Sequence, residues 1–138
     1  MSKMFGYQIV SALLLMSLTT WSGTVSVESI SSHVLDTTVG RPAEGVLIVA
    51  YFQERNMWKQ IGSTYTGKDG RVMSVSPEFP LRNGTYKLFF GVENYFKKIG
   101  IESFYPHVEV VFKVNNPESH YHIPLTVTPY SYSTYRGS

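Results

Sequence analysis

The sequence contains no cysteine among its 138 residues. Disulfide bonds, thiolate nucleophiles and cysteine-ligated zinc or iron–sulfur centres are therefore excluded. Charged residues are scarce, at 16%, and the formal net charge is only +2. Because no cluster of lysine and arginine side chains could follow a phosphate backbone, the charge pattern does not indicate a nucleic-acid-binding protein.

Hydrophobic and aromatic residues are abundant by contrast. Hydrophobic residues make up 43% of the chain and aromatic residues 14%, with ten tyrosines and eight phenylalanines. This balance is typical of a globular protein with a hydrophobic core, and the enrichment in tyrosine and β-branched residues favours strands. The chain length predicts a single domain.

Residues 1–26 have the pattern of a secretory signal peptide. Lys3 supplies a positive start, and the apolar run at residues 9–16 matches the ~7–15 residues of a signal core better than the ~20 residues of a membrane span. Cleavage is expected after Thr24-Val25-Ser26, and an uncleaved membrane anchor is the alternative interpretation. We therefore predict a mature domain at residues 27–138 that is periplasmic or secreted, with no membrane contact after cleavage.

The rest of the chain has the pattern of an all-β fold with one short helix. Turn signals at Lys68-Asp69-Gly70 and Asn83-Gly84 separate several strand candidates. These candidates cover residues 46–52, 58–66, 85–90, 108–114, 120–127 and 130–135. Residues 93–100 predict the helix, closed by Gly100, and two prolines predict a loop at residues 74–80. Short strands at roughly 8–12-residue spacing are typical of a β-sandwich or a barrel.

Four histidines are the main candidates for proton transfer near neutral pH, namely His33, His107, His120 and His122. His120 and His122 are two residues apart on a predicted strand, so both side chains point to the same face. Each histidine could instead have a structural or solvent-exposed role without chemistry. We interpret His107 and His120 as histidines of this kind. His33, His120 and His122 could also supply three metal ligands, but no Asp or Glu cluster nearby in the sequence completes such a site.

Arg71 and the C-terminal residues are the other notable features. Arg71 follows the turn at Asp69-Gly70, where its planar fork would suit an anionic or carbonyl-rich ligand, and a solvated surface arginine is the alternative. Residues 130–138 have strand-forming character almost to the last residue, whereas chain ends usually fray. An ordered end would place the α-carboxylate and the hydroxyl of Ser138 at a defined position.

Three separated motifs resemble the 5-hydroxyisourate hydrolases, the transthyretin-like enzymes. The motifs are His33-Val34-Leu35-Asp36-Thr37, Asp69-Gly70-Arg71, and a segment that runs from His120-Tyr121-His122-Ile123-Pro124-Leu125 to the terminal Tyr135-Arg136-Gly137-Ser138. The similarity extends from about residue 31 to the C-terminus, and the three motifs together are highly specific. The sequence departs from the family pattern at Val72-Met73 and in the stretch before Pro129, which bears on the packing of the expected channel.

The resemblance implies a transthyretin-like sandwich of two four-stranded sheets with one short helix, assembled as a homotetramer with active sites in a central channel. It also implies hydrolysis of 5-hydroxyisourate to 2-oxo-4-hydroxy-4-carboxy-5-ureidoimidazoline in urate (purine) degradation, with no cofactor and no metal. The family's catalytic residues correspond to His33, Arg71 and His122. Its substrate-binding residues correspond to His33, Arg71, Tyr135 and Ser138.

The expected mechanism uses one of His33 and His122 to accept a proton from water, while the other holds or protonates the ring. Arg71 would stabilise the developing oxyanion. The sequence does not show which histidine is the base. Two other functions remain as alternatives: a non-enzymatic transthyretin-like carrier of a small aromatic ligand, and a secreted β-sandwich that binds proteins. Neither alternative accounts for the histidine and arginine motifs.

Overall fold

In the computed structural model, residues 29–138 are described, and the predicted signal peptide at residues 1–26 lies outside the described residues. This part of the chain forms nine strands and one helix. The elements are β1 (Ile30–Asp36), β2 (Arg41–Pro42), β3 (Leu47–Glu54), β4 (Met57–Tyr65), β5 (Arg71–Val72), β6 (Gly84–Phe90), α1 (Val92–Lys98), β7 (Val108–Val114), β8 (Tyr121–Thr128) and β9 (Ser131–Thr134). The helix in this range is not long and apolar enough to cross a membrane.

The strands form two sheets that pack against each other as a sandwich. The first sheet has the antiparallel order β4-β3-β6-β7. The second has the order β2-β1-β8-β9, with β5 also paired to β1, so it contains five strands. Its two central strands, β1 and β8, run parallel although they lie at opposite ends of the domain sequence. The predicted all-β two-sheet sandwich with one short helix is confirmed, and the short β5 makes the second sheet larger than expected.

Alternate residues of both sheets fill the core between them. The largest fully buried side chains come from both sheets and from the helix, and they include Ile30, Val34, Ile48, Tyr86, Leu88, Phe90, Phe96 and Leu125. The hydroxyl of Tyr86 donates to the carbonyl oxygen of Arg82 at 2.9 Å. The hydroxyl of Tyr121 donates to the carbonyl oxygen of Asn116 at 3.0 Å. These bonds satisfy the polar ends of two core tyrosines, as burial requires.

Most predicted elements agree with the structure to within two residues at each end. The helix is closed as predicted, because Gly100 adopts φ 73° and its N–H donates to the carbonyl oxygen of Lys97 at 3.0 Å. Strand β1 was not predicted, since its polar residues interrupt the apolar alternation. One of them, Ser32, faces the core, where its hydroxyl donates to the carbonyl oxygen of Ile123 at 2.8 Å.

Candidate active site

The pairing of β1 brings predicted site residues from three strands to one face of the second sheet. In register, His33 lies between Arg71 of β5 and Pro124 of β8. Two residues earlier, Ser31 lies opposite His122 of β8. Paired residues project to the same side of a sheet, and residues two apart on a strand do so as well. The side chains of Ser31, His33, Arg71 and His122 therefore share the outer face.

His33 contacts the turn that precedes Arg71. Its Nε2 lies 3.0 Å from the carbonyl oxygen of Asp69. Because a carbonyl oxygen only accepts hydrogen bonds, Nε2 carries the proton, and Nδ1 has the lone pair when the ring is neutral. The backbone N–H of Arg71 donates to Oδ1 of Asp69 at 3.0 Å, and Gly70 adopts φ 74°, a conformation that favours glycine. The turn therefore fixes His33 and Arg71 relative to each other.

His122 is half-buried on β8, with Nδ1 2.7 Å from Oγ of Ser31. Burial lowers the pKa of His122, and the positive charges of Arg71, His120 and His33 lower it further. Each of these effects disfavours the imidazolium form. His122 is consequently neutral at physiological pH, which is the state that a general base requires.

The C-terminal residues reach back to His122. The N–H of Gly137 donates to the carbonyl oxygen of His122 at 2.8 Å, and the two residues form an isolated antiparallel bridge. This bridge brings Ser138 to the site. Tyr135 takes a different position, because it is 63% exposed and lines a separate cavity of about 250 Å³ together with Phe112 and Tyr121.

The site residues enclose a cavity of about 200 Å³ on the outer face of the second sheet. It is lined by Ser31, Ser32, Arg71, Val72, Met73, His120, His122 and Ser138. Three larger cavities of the described residues, of about 330, 500 and 610 Å³, are lined by no histidine. Of the predicted site residues, the structure thus brings Arg71, His122 and Ser138 together, places His33 beside Arg71, and leaves Tyr135 outside.

Two residues at the cavity were not assigned to the site from the sequence. His120 was interpreted as structural, yet its Nε2 lies 2.8 Å from Oγ of Ser31, which also contacts His122. The spacing of the two histidines did place them on one face, as predicted. For Ser31 there was no signal, because its position depends on pairing with a strand about 90 residues away. His107 lies elsewhere, stacked on Phe89 with ring centres 4.8 Å apart.

The chemistry available at this site is proton transfer beside a fixed positive charge. A neutral imidazole can accept a proton, and the guanidinium of Arg71 can stabilise an oxyanion. Within residues 29–138, no three side chains of His, Asp or Glu are grouped closely enough to hold a metal ion.

Comparison with known proteins identifies close relatives over the whole described domain. A profile of the HIUase/Transthyretin family matches residues 30–137. A probable 5-hydroxyisourate hydrolase of Caenorhabditis elegans is 48% identical over 132 residues, which cover 96% of this chain and 98% of the relative. The 5-hydroxyisourate hydrolase of Mus musculus is 43% identical over 111 residues, which cover 79% of this chain and 94% of the relative. The structure of Klebsiella pneumoniae 5-hydroxyisourate hydrolase is similar with a TM-score of 0.71 at 30% identity, covering 81% of this chain and 94% of the other.

Proposed function

The chain belongs to the HIUase/Transthyretin family, and from that premise we propose that it hydrolyses 5-hydroxyisourate to 2-oxo-4-hydroxy-4-carboxy-5-ureidoimidazoline in urate degradation. Relatives named for this hydrolase activity cover 96% and 79% of the chain. The observation that carries the proposal is the cavity in which Arg71, His122 and Ser138 meet, with His33 paired to Arg71.

Hydrolysis opens a lactam bond of the six-membered ring. Water attacks the ring carbonyl carbon while its proton passes to neutral His122, and the guanidinium of Arg71 stabilises the negative oxygen that develops. The carbon–nitrogen bond then breaks, and the ring nitrogen takes up the proton that His122 accepted from water, which returns His122 to its neutral form. Because Nε2 of His33 is bound to the carbonyl oxygen of Asp69, Nδ1 is the nitrogen that His33 presents to the ring. Ser138 contributes to holding the substrate.

A homotetramer with the sites in a central channel is part of this proposal. The cavity of about 200 Å³ is smaller than the ~300–1,000 Å³ that is usual for small-molecule sites. Its rim includes Met73, which is 79% exposed. Both features support completion of the site by a neighbouring subunit. Tyr135, which lines another cavity of the single chain, remains a predicted substrate-binding residue.

Export of the domain is also proposed, to the periplasm or the extracellular space. The support is the sequence pattern of residues 1–26, in which a positive start precedes a short apolar run and small polar residues. N-terminal sequencing of the mature protein recovered from the culture medium or the periplasmic fraction tests the proposal. A mature N-terminus near residue 27 supports it, whereas full-length protein in the cytosol contradicts it.

The hydrolase proposal is tested by following 5-hydroxyisourate, made in situ from urate and urate oxidase, by its absorbance. Purified residues 27–138 should accelerate the decay well above the spontaneous rate, with and without a chelator. His33→Ala and His122→Ala should each lower the rate by ~10²–10⁴-fold. His107→Ala is the matched control, because this histidine stacks on Phe89 away from the cavity. Decay at the spontaneous rate would favour the carrier function instead.

The assembly is tested separately by analytical ultracentrifugation of the same preparation. A single species of four times the monomer mass supports the tetramer. A monomeric protein with full activity would contradict the proposal that a neighbouring subunit completes the cavity.

A further inference from the structure

A chain of hydrogen-bonded groups leads from His122 to a backbone carbonyl at the edge of the cavity. Oγ of Ser31 lies 2.7 Å from Nδ1 of His122 and 2.8 Å from Nε2 of His120. On the other side of the His120 ring, Nδ1 lies 3.5 Å from Oγ of Ser29. Oγ of Ser29 in turn lies 3.4 Å from the carbonyl oxygen of Met73. Ser31, the central link, is buried with 6% exposure.

The two contacts of Ser29, at 3.4 and 3.5 Å, are the longest in this chain, and they indicate a direction for its hydrogen bonds. A carbonyl oxygen only accepts, so Ser29 donates its single hydroxyl proton to it and must accept from His120. His120 therefore carries its proton on Nδ1 and, when neutral, has a lone pair on Nε2. Ser31 donates to that lone pair, so it can only accept from His122. The proton of neutral His122 consequently lies on Nδ1.

We propose that Ser29, His120 and Ser31 are positioning residues that hold His122 in its Nδ1-protonated tautomer, so that Nε2 is the atom that accepts the proton from water. The catalytic consequence rests on the proposed hydrolase function. The tautomer itself is a property of the unliganded protein and can be measured without substrate. In the opposite tautomer, the buried Ser31 would face two acceptor nitrogens with one proton to donate, and one hydrogen bond would be lost.

The surroundings of His122 keep the ring in this orientation. The backbone of Gly137 packs against its Cγ and Cδ2 atoms. Rotation of the ring by half a turn would exchange Nδ1 with Cδ2 and present a C–H group to Ser31, which cannot replace the hydrogen bond. The charged or titratable groups that face the ring are Arg71 from β5, His33 from β1, and His120. The pKa of His122 is lowered first by burial and next by Arg71. The neutral ring with its free Nε2 is thus the working form.

The tautomer is tested by ¹⁵N NMR of the full chain labelled at the histidine side chains, with the signals assigned from single His→Gln variants. In the unmodified protein, Nδ1 of His122 should resonate as a protonated nitrogen and Nε2 as an unprotonated one. Ser31→Ala should shift both signals towards the opposite tautomer or an average of the two. Ser63→Ala, an exposed serine on β4 of the other sheet, is the matched control and should leave them in place. Protonated Nε2 in the unmodified protein would overturn the proposal.

A pair of substitutions at His120 tests the catalytic consequence. The amide oxygen of glutamine can replace Nε2 as the acceptor for Ser31, whereas leucine has a comparable volume and no acceptor. His120→Leu should lower kcat by about ten- to a hundredfold with little change in KM, which is a part of the ~10²–10⁴-fold that a general base supplies. His120→Gln should recover most of the loss.

The two proposals fail in distinguishable ways. An unmodified protein that shows the expected tautomer and does not hydrolyse 5-hydroxyisourate would contradict the hydrolase function and support the hydrogen-bonded chain. An active protein in which His120→Leu and His120→Gln are equally impaired, or equally unimpaired, would overturn the positioning role.

Discussion

The backbone of Gly137 lies against the imidazole ring of His122, so closely that a β-carbon at position 137 would overlap with the ring. The requirement is for space, since the backbone of Gly137 does not adopt a positive φ. Because the N–H of Gly137 also donates to the carbonyl oxygen of His122, the ring and the C-terminal residues hold each other in place. Ser138 reaches the cavity as a result.

Gly137→Ala is therefore expected to impair catalysis more than stability. The added methyl group must displace either the ring of His122 or the chain that carries Ser138. A shift of about 1 Å in such groups lowers kcat/KM by ~10²-fold. The melting temperature should change little, because the C-terminal residues lie on the surface of the second sheet. Normal kcat/KM in a folded Gly137→Ala protein would show that this contact does not position the site.

Arg71→Lys tests whether the site needs the shape of arginine or only its charge. Lysine keeps a positive charge next to His33 but lacks the planar fork that can bind two oxygens at once. We expect kcat/KM to fall by ~10²–10³-fold, nearly as far as in Arg71→Ala. Arg55→Lys, in the exposed turn between β3 and β4, is the control. If Arg71→Lys keeps most of the activity, charge alone is sufficient.

The pH dependence of kcat/KM should reveal the lowered pKa of His122. Burial and the charges of Arg71, His120 and His33 place this pKa below the ordinary 6.5. A base must be unprotonated, so activity should persist at pH 6.5 and fall only as the pH drops through the lower value. Arg71→Gln removes one of the charges and should move the acid limb to higher pH. A limb above 6.5 in the unmodified protein would contradict the assignment of His122 as the base.

The elements that were predicted from the sequence are those whose signal lies within a few neighbouring residues. In β7, Val108, Val110 and Phe112 alternate with exposed residues, two of them charged, and this alternation specifies both the strand and its core face. The turn at residues 68–70 and the helix end at Gly100 are equally local, since each depends on a few residues and on a glycine with positive φ. Strand β1 was not predicted, because Ser31 and Ser32 interrupt its sequence of apolar residues.

The parts of the site that were not predicted depend on register between distant strands. Ser31 meets His120 and His122 only because β1 and β8 pair in parallel, with about 90 residues between them. Nothing in the local pattern of either strand specifies that register. The end of the chain is similar, because β9 ends at Thr134 and pairing resumes at a single bridge at Gly137. Strand alternation is interrupted there, and it could not predict on which side Tyr135 would lie.

A buried carboxyl group of β1 links this strand to the helix. Asp36 is 1% exposed, and its Oδ2 accepts a hydrogen bond of 2.8 Å from the hydroxyl of Tyr95 in α1. Its Oδ1 accepts one of 3.0 Å from the N–H of Thr38. Burial and the neighbouring Asp36 raise the pKa of Tyr95 to about 12. The tyrosine hydroxyl therefore keeps its proton and remains a donor over the whole working range of pH.

Tyr95→Phe should destabilise the fold while leaving the chemistry intact. The substitution removes one donor from a buried carboxyl group, which costs ~1–3 kcal/mol of the free energy of unfolding. Since Tyr95 lies outside the cavity of Arg71 and His122, kcat/KM at a temperature where the protein is folded should be almost unchanged. Urea denaturation at one fixed protein concentration gives the comparison, because the apparent stability of a protein that assembles depends on its concentration.

Tyr105→Phe is the matched control for this measurement. The ring of Tyr105 packs edge-to-face against Phe104 and Tyr132, and so its substitution removes a hydroxyl that has no buried carboxyl group as partner. Its midpoint of denaturation should lie close to that of the unmodified protein. Equal midpoints for Tyr95→Phe and Tyr105→Phe would mean that Asp36 finds another donor when Tyr95 is lost. In that case the helix would be held to β1 by packing of its apolar side chains, and the link between Tyr95 and Asp36 would contribute nothing to stability.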